Sequence, residues 1–144
     1  MENRIFAPFN QNNNAMINET LSPTENITSE KSAWLRGIDF YQDEIKIMRK
    51  RLQNISANNT AREVKRKIEQ FQNQFEVHEE QLRKLRIAVK NHAVHIAGDL
   101  TDHHGQLERN TVLEHDTMRD DYVNTEKLFN EMRHDFNRFL SKYL

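Results

Sequence analysis

Three stretches of this 144-residue chain carry core-type residues at alternating spacings of three and four. Such spacing places those side chains on one stripe of a slightly underwound helix, and each helix then needs partners to cover its stripe. The pattern therefore predicts an all-α protein in which three long helices pack as a coiled-coil bundle. The first stretch runs from Trp34 to Ile55, the second from Val64 to Ile96 and the third from Glu108 to Tyr143.

Capping signals and short polar connections indicate where the helices begin. Ser22-Pro23-Thr24-Glu25 combines a cap residue, a proline at the first helical position and a glutamate three residues after the cap. Thr60-Ala61-Arg62-Glu63 has the spacing of a second capping box and follows a short polar connection, which makes helices 1 and 2 antiparallel neighbours. We expect helices over about 23–55, 60–97 and 101–144, in antiparallel up-down-up order, within one domain over 22–144.

The turn between helices 2 and 3 has two interpretations that differ by one heptad. In the first, helix 2 stops just before Gly98, which takes the left-handed position, and Asp99 or Thr101 caps helix 3. In the second, helix 2 runs to His104 and Gly105 makes the turn. We favour the first interpretation, because it supplies both an end cap for helix 2 and a start cap for helix 3.

Residues 1–21 lack the heptad pattern, and we expect them to form a mostly irregular arm. The arm contains a polar, low-complexity tract over residues 10–14. Two interpretations stay open, a disordered tail and an arm that docks on its own bundle or on a neighbouring subunit. The second is suggested by the apolar residues that flank the tract, namely Ile5, Phe6, Phe9, Met16 and Leu21.

Histidine and carboxylate residues gather near the second turn. On a continuing helix, His92, His95 and Asp99 share one face at spacings of three and four. Imidazole and carboxylate groups brought together by a helix turn can bind zinc, nickel or iron. The structural alternative is that a histidine at a heptad core position hydrogen-bonds a neighbour across the helix interface. The predicted metal ligands are His92, His95, Asp99 and His115, with His103 and His104 as second choice.

Basic residues gather at the predicted turn between helices 1 and 2, although the net charge of the chain is only −1. Acidic residues outnumber basic ones from residue 91 onward, so we expect a basic end and an acidic end. A charged patch steers protein partners and can favour head-to-tail contacts. Nucleic-acid binding is not favoured, because the net charge is not positive and the aromatics fall on the core stripe. The predicted interaction residues are Lys46, Arg49, Lys50, Arg51, Arg62, Lys65, Arg66 and Lys67.

The sequence contains no motif that indicates catalysis. It has no cysteine, no glycine-rich phosphate loop and no serine in a strand–turn–helix setting. We therefore predict a non-catalytic, adaptor-like helical protein that acts through interaction or oligomerisation, with a homodimer as first choice, an unidentified protein partner and no cofactor. The alternative is a small metal-binding bundle that uses the histidine-rich tip. No apolar run has the length of a membrane span or signal peptide, so we expect a cytoplasmic location and no membrane contact.

Overall fold

The computed structural model describes residues 23–143, which form three helices and no strand. Helix α1 is Pro23–Asn58, helix α2 is Arg62–Asp102 and helix α3 is Arg109–Ser141. These helices pack against each other and take up 91% of the described residues, which confirms the predicted all-α three-helix fold. The up-down-up order and the coiled-coil details stay predictions. The arm predicted over 1–21 lies outside the described residues.

The stripe that the heptad spacing defines is buried in α1 and α2. Every member of these two stretches is buried, including His78 and His92. In α3 the buried residues depart from the predicted stripe. Tyr122, which belongs to the stripe, is only half-buried, whereas Val112 and Leu140, which do not belong to it, are buried. Spacing alone thus identifies the core of α1 and α2 better than that of α3.

The contacts divide the described chain into two compact units. Unit 1 comprises the described residues up to Leu35 together with Ile87–Asp120, and unit 2 comprises Arg36–Arg86 together with the described residues from Asp121 onward. The two units have different cores. In unit 1 an aliphatic cluster of Ile27, Ile96 and Val112 is extended by Leu100 and Leu107. In unit 2 the core is rich in aromatic rings, which include Tyr41, Phe71, Phe75, Phe129, Phe136 and Phe139.

The connection between α1 and α2 is short and lies close to its predicted position. The side-chain amides of Asn58 and Asn59 donate to the carbonyl oxygens of Asn54 and Ile55, near the C-terminal end of the helix. The first turn of α2 is closed by a bond from the Lys65 N–H to the carbonyl of residue 61, 3.0 Å long. Helix α1 therefore ends three residues later, and α2 begins two residues later, than the sequence predicts.

The second turn lies at Gly105, so our preferred interpretation of the sequence, a turn at Gly98, was wrong. Helix α2 continues through Gly98 to Asp102, and α3 begins only at Arg109. The N–H of Gly105 donates to the carbonyl of Leu100, and His104 has the left-handed φ of 55° that such a helix end requires. The extension of α2 brings Leu100 onto the aliphatic cluster of unit 1, which offsets the cost of a glycine inside the helix.

Candidate functional site

Two of the predicted metal ligands, His92 on α2 and His115 on α3, meet in the core of unit 1. Both occupy heptad core positions, and neither side chain is exposed to solvent. The Nε2 atom of His92 lies 2.9 Å from the Nδ1 atom of His115. On its other face the His115 ring stacks on Trp34 of α1, with the ring centroids 4.6 Å apart. The two imidazoles are therefore held rigidly and away from water.

A carboxylate lies behind each of these rings. Glu114 Oε1 is 2.6 Å from His92 Nδ1, and Glu30 Oε1 is 2.9 Å from His115 Nε2. The result is a continuous row of three hydrogen bonds that crosses the three helices of unit 1. We call this row, formed by Glu114, His92, His115 and Glu30, the histidine relay.

An arginine fixes the Glu30 end of the histidine relay. Arg119 binds Glu30 through two nitrogens, at 2.9 and 2.5 Å, and also donates to Asp116 at 2.8 Å. Burial alone would raise the pKa of Glu30, but the hydrogen bonds from Arg119 and His115 outweigh it and lower that pKa to about 2. Glu30 is therefore ionised at any pH at which the protein is expected to work.

At the opposite end, Glu114 accepts hydrogen bonds from two histidines of α2. His95 Nδ1 lies 3.0 and 3.2 Å from the two oxygens of Glu114, beside the shorter contact from His92. The bond to Glu114 raises the pKa of His95. Burial opposes ionisation of Glu114, but the bonds from His95 and His92 prevail and lower its pKa. Glu114 thus carries a negative charge next to the buried pair.

Asp99, which the sequence suggests as a metal ligand or as a cap, acts on the start of α3. Its Oδ2 atom accepts a hydrogen bond from the N–H of Glu108 at 3.0 Å, and the Thr111 hydroxyl also binds it. The pKa of Asp99 is lowered, with the Thr111 bond as the largest cause. An N–H at the start of a helix has no partner within that helix, so Asp99 supplies one from α2.

A second group of possible ligand atoms lies beside this cap. Atoms of Asp99, His103 and Glu108 all lie within 4.8 Å of one another, a separation at which they could hold a metal ion. Each already has a protein partner, because His103 Nε2 is 3.1 Å from Glu108 Oε2 and Asp99 binds the N–H of Glu108. The closeness of these three residues is therefore explained by their role in joining the end of α2 to the start of α3.

The structure thus separates the predicted metal ligands into different environments. It brings His92, His95 and His115 into one hydrogen-bonded network, whereas Asp99 and His103 belong to the helix connection and His104 forms the turn. Sequence reasoning missed three members of the network, Glu30, Glu114 and Arg119. A usable signal was present for two of them, because Glu114 and Arg119 are directly adjacent in sequence to heptad core positions, whereas Glu30 precedes the first stretch, which begins at Trp34.

The eight predicted interaction residues all lie in unit 2, and three of them have partners there. Arg49 binds Glu79 at 2.6 Å and lies over the Phe75 ring, Lys46 lies 3.9 Å from Asp43, and Lys67 lies over Phe71. The other five are exposed, and no described residue forms an ion pair with them. We call these five the basic surface: Lys50, Arg51, Arg62, Lys65 and Arg66.

A groove in unit 2 is lined in part by Lys67, which directly follows Lys65 and Arg66 of the basic surface in sequence. It has a volume of about 470 Å³ and is lined by residues of α2 and α3. Phe71 and Phe139 contribute its apolar lining, with their ring centroids 5.2 Å apart. Lys67 lies at the groove on α2, and two further bases, Arg138 and Lys142, lie there on the C-terminal part of the chain. The groove therefore combines an aromatic lining with positive charge, although Asp135 is also present.

Comparison with protein-family models, with curated proteins and with solved structures finds no match to this chain. Among the described helices, none is both long and apolar enough to cross a membrane.

Proposed function

We propose that this protein is a cytoplasmic, non-catalytic helical interaction protein that binds an acidic partner protein through the basic surface and the adjoining groove. The observation that carries the proposal is the set of five exposed basic side chains that no described acid neutralises. Exposed positive charges attract an acidic partner and increase its association rate. The groove adds an apolar surface on which a partner side chain can be buried.

The titratable groups of the chain support an interaction role better than catalysis. A catalytic acid or base must reach a substrate within hydrogen-bond distance. His92 and His115, the two histidines with the most developed hydrogen-bonding network, have no exposed surface and contact each other and two carboxylates. Their geometry therefore supports a structural role.

Self-association is a second part of the proposal, with a homodimer as the expected form. Phe40 and Ile47 are one heptad apart on α1, and they are 51% and 47% exposed. Residues seven apart lie on the same side of a helix, so the two form one apolar strip in unit 2. Pairing this strip with its copy would remove both side chains from water.

The proposed partner chemistry can be tested with a fluorescein-labelled peptide that is rich in glutamate and contains two phenylalanines. Fluorescence anisotropy should show binding that weakens as ionic strength rises, because exposed charges are screened by salt. Replacing Lys65 and Arg66 by glutamine should lower the affinity by roughly two- to tenfold. The matched control replaces Lys84 and Lys90, which lie elsewhere on α2, and removes the same charge.

The outcomes of this experiment are distinct. A loss of affinity confined to Lys65→Gln/Arg66→Gln supports the basic surface as the binding site. An equal loss in Lys84→Gln/Lys90→Gln would show a non-specific charge effect and contradict the assignment. Tighter binding to a single-stranded oligonucleotide of equal charge would overturn the choice of an acidic protein as partner.

The dimer can be tested by sedimentation. We expect the protein to sediment as a dimer at tens of micromolar and Phe40→Glu/Ile47→Glu to sediment as a monomer, because two buried charges would oppose pairing. Val77→Glu is the control, since Val77 is also exposed in unit 2 but lies on a different helix. A monomeric wild-type protein would reject the self-association proposal and leave the acidic-partner proposal standing.

A further inference from the structure

The histidine relay contains one hydrogen bond too many for two neutral histidines. Each of its three contacts needs one proton between the two heavy atoms. A neutral imidazole carries a single N–H, so two neutral rings supply two protons. If these point at Glu114 and Glu30, the lone pairs of His92 Nε2 and His115 Nδ1 face each other at 2.9 Å. The geometry of the relay therefore requires a third proton.

The charges around the histidine pair favour that additional proton. The charged and titratable groups around the pair are Glu30 from α1, His95 from α2 and Glu114 from α3, with Arg119 of α3 bound to Glu30 and Asp116 bound to Arg119. The two carboxylates of Glu30 and Glu114 contact the pair directly. Arg119 binds the first and His95 the second, and the charge on His95 lowers the pKa of His92. Both Glu30 and Glu114 have a lowered pKa, so they do not take the third proton, and it must lie on the two rings.

We propose that His92 and His115 form a buried binding site for one proton, which they share across their 2.9 Å contact and which links the stability of unit 1 to pH. The ligand of this site is the proton itself. In the singly charged pair all three hydrogen bonds are made, and the positive charge lies between two carboxylates. Removal of the proton leaves the lone pairs of His92 Nε2 and His115 Nδ1 facing each other. Addition of a second proton leaves neither of these two nitrogens with a lone pair to accept the central hydrogen bond.

Entry of a second proton to the same pair is opposed. Burial is the largest cause that lowers the pKa of His92, and the charge on His115 lowers it further, whereas the bond to Glu114 acts in the opposite direction. The folded pair therefore resists a second proton, and loss of the first is opposed because it would bring two ring lone pairs into contact at 2.9 Å. Coupled groups of this kind titrate as a pair, in two steps.

The sign of the pH dependence follows from the number of protons bound. Below the ordinary histidine pKa of about 6.5, the unfolded chain binds two protons at these residues and the folded pair only one. The ratio of folded to unfolded protein then falls by up to about tenfold per pH unit as the pH falls. Above 6.5 the unfolded chain loses both protons while the folded pair keeps one, so the ratio falls again as the pH rises.

A double variant isolates this contribution. In His92→Leu/His115→Leu, Glu114 keeps His95 and Glu30 keeps Arg119 as partners, and both changes place leucine at heptad core positions. Urea unfolding of the wild type and of the double variant should be measured from pH 4 to pH 9. His78 lies in unit 2 and is present in both proteins, so its contribution cancels in the difference. Glu30 and Glu114 each lose a histidine partner in the double variant, and this adds a loss of stability only at the acidic end of the range, where carboxylates titrate.

The expected difference in stability between wild type and double variant is a bell-shaped function of pH with its maximum near pH 6.5. A difference that rises with pH and then stays level would show that the pair is neutral when folded, and would overturn the proposal. A difference that does not change with pH would also overturn it.

Nitrogen NMR of the wild-type protein provides a test that does not depend on folding of the variant. A shared proton produces a scalar coupling between His92 Nε2 and His115 Nδ1, observable in uniformly ¹⁵N-labelled protein near pH 6.5. His78 is the internal control, because it should show no such coupling to a second imidazole. Two independent neutral-ring spectra for His92 and His115 at that pH would contradict the proposal.

Discussion

The side chain of Tyr122 on α3 passes directly over Gly37 on α1, so close that a Cβ atom at residue 37 would overlap the tyrosine hydroxyl. Gly98 on α2 is also inside a helix, yet apart from its chain neighbours and the local helix backbone no described atom lies within 4 Å of the position that its Cβ would take. Gly37 is therefore required by the packing of α1 against α3. Gly98 only weakens its helix.

Substitution by alanine should separate the two glycines. Gly98→Ala should stabilise the protein by about 1 kcal/mol, since alanine favours the helical conformation. Gly37→Ala gains the same propensity but must displace Tyr122, which hydrogen-bonds Glu126, and should be about 1–2 kcal/mol less stable than Gly98→Ala. Thermal or urea unfolding measures both changes.

Two outcomes would contradict this interpretation. A loss of stability in Gly98→Ala would indicate that Gly98 needs the left-handed conformation and that α2 ends there. For Gly37, the test is the Tyr122→Phe background, which removes the hydroxyl that is closest to the new Cβ. If Gly37→Ala costs as much in that background as in the wild type, the tyrosine hydroxyl is not the reason for the glycine.

Truncation of Phe71 should strongly destabilise unit 2. Its ring contacts those of Phe136 and Phe139, each with centroids 5.2 Å away, and its side chain is only 4% exposed. Replacement of a fully buried phenylalanine by alanine costs about 3–5 kcal/mol. The control Val77→Ala, on the same helix but 54% exposed, should change the free energy of unfolding by less than about 0.5 kcal/mol. Equal changes in the free energy of unfolding for the two variants would contradict the assignment of Phe71 to the core.

His78 should make the protein sensitive to acid. It is buried on α2 against the edge of Phe129, and its Nδ1 atom has no hydrogen-bond partner among the described residues. Burial lowers its pKa below the ordinary 6.5, so the folded protein resists a charge that the unfolded chain accepts. The stability that neutral His78 contributes is present above pH 6.5. It is lost as the pH falls towards and through the lower pKa that His78 has in the folded protein.

Replacing His78 by leucine tests both the cost of its unpartnered Nδ1 atom and the effect of its lowered pKa. At neutral pH the variant should be about 1–3 kcal/mol more stable, because a buried polar atom without a partner is removed. Below pH 6.5 the gain should increase, because the variant no longer has an imidazole to protonate. A gain that is independent of pH would show that His78 is not protected from protonation in the folded state.

Addition of zinc, nickel or iron(II) should leave the melting temperature unchanged. The nitrogen atoms of His92 and His115 are 2.9 Å apart, whereas tetrahedral zinc holds its nitrogen ligands about 3.3 Å apart. Their other ring nitrogens are bound to Glu114 and Glu30. Thermal melts of protein made without a His tag provide the measurement. A metal-dependent rise that disappears in His92→Leu/His115→Leu would show that the metal-binding alternative holds.

The heptad spacing was sufficient to predict the three helices and most of their core. Spacings of three and four determine which side of a helix is apolar, and burial of that side is the main source of helix stability. This is why Trp34, Ile45, Phe71, Phe75 and Phe129 could be assigned to the core without a structure, and all five are buried. The same reasoning placed His92 and His115 at core positions.

The position of the second turn could not be derived from the same pattern. Gly98 and Gly105 differ by one heptad, so either turn leaves the same residues on the apolar stripe. Local cap signals favour Gly98, at which a helix end would be easy to form. The outcome is decided by contacts between helices, because the longer α2 packs Leu100 on the core of unit 1 and lets Asp99 cap α3.

The histidine relay also depends on tertiary structure. The sequence determines that two histidines lie on apolar stripes, and it therefore predicts that each needs a partner across an interface. Which partner each one meets depends on the alignment of α1, α2 and α3, and a shift of one helical turn would separate Glu30 from His115. Hydrogen bonds between distant residues require atomic proximity that periodicity does not encode, so only the folded chain determines that the two imidazoles face each other between two carboxylates.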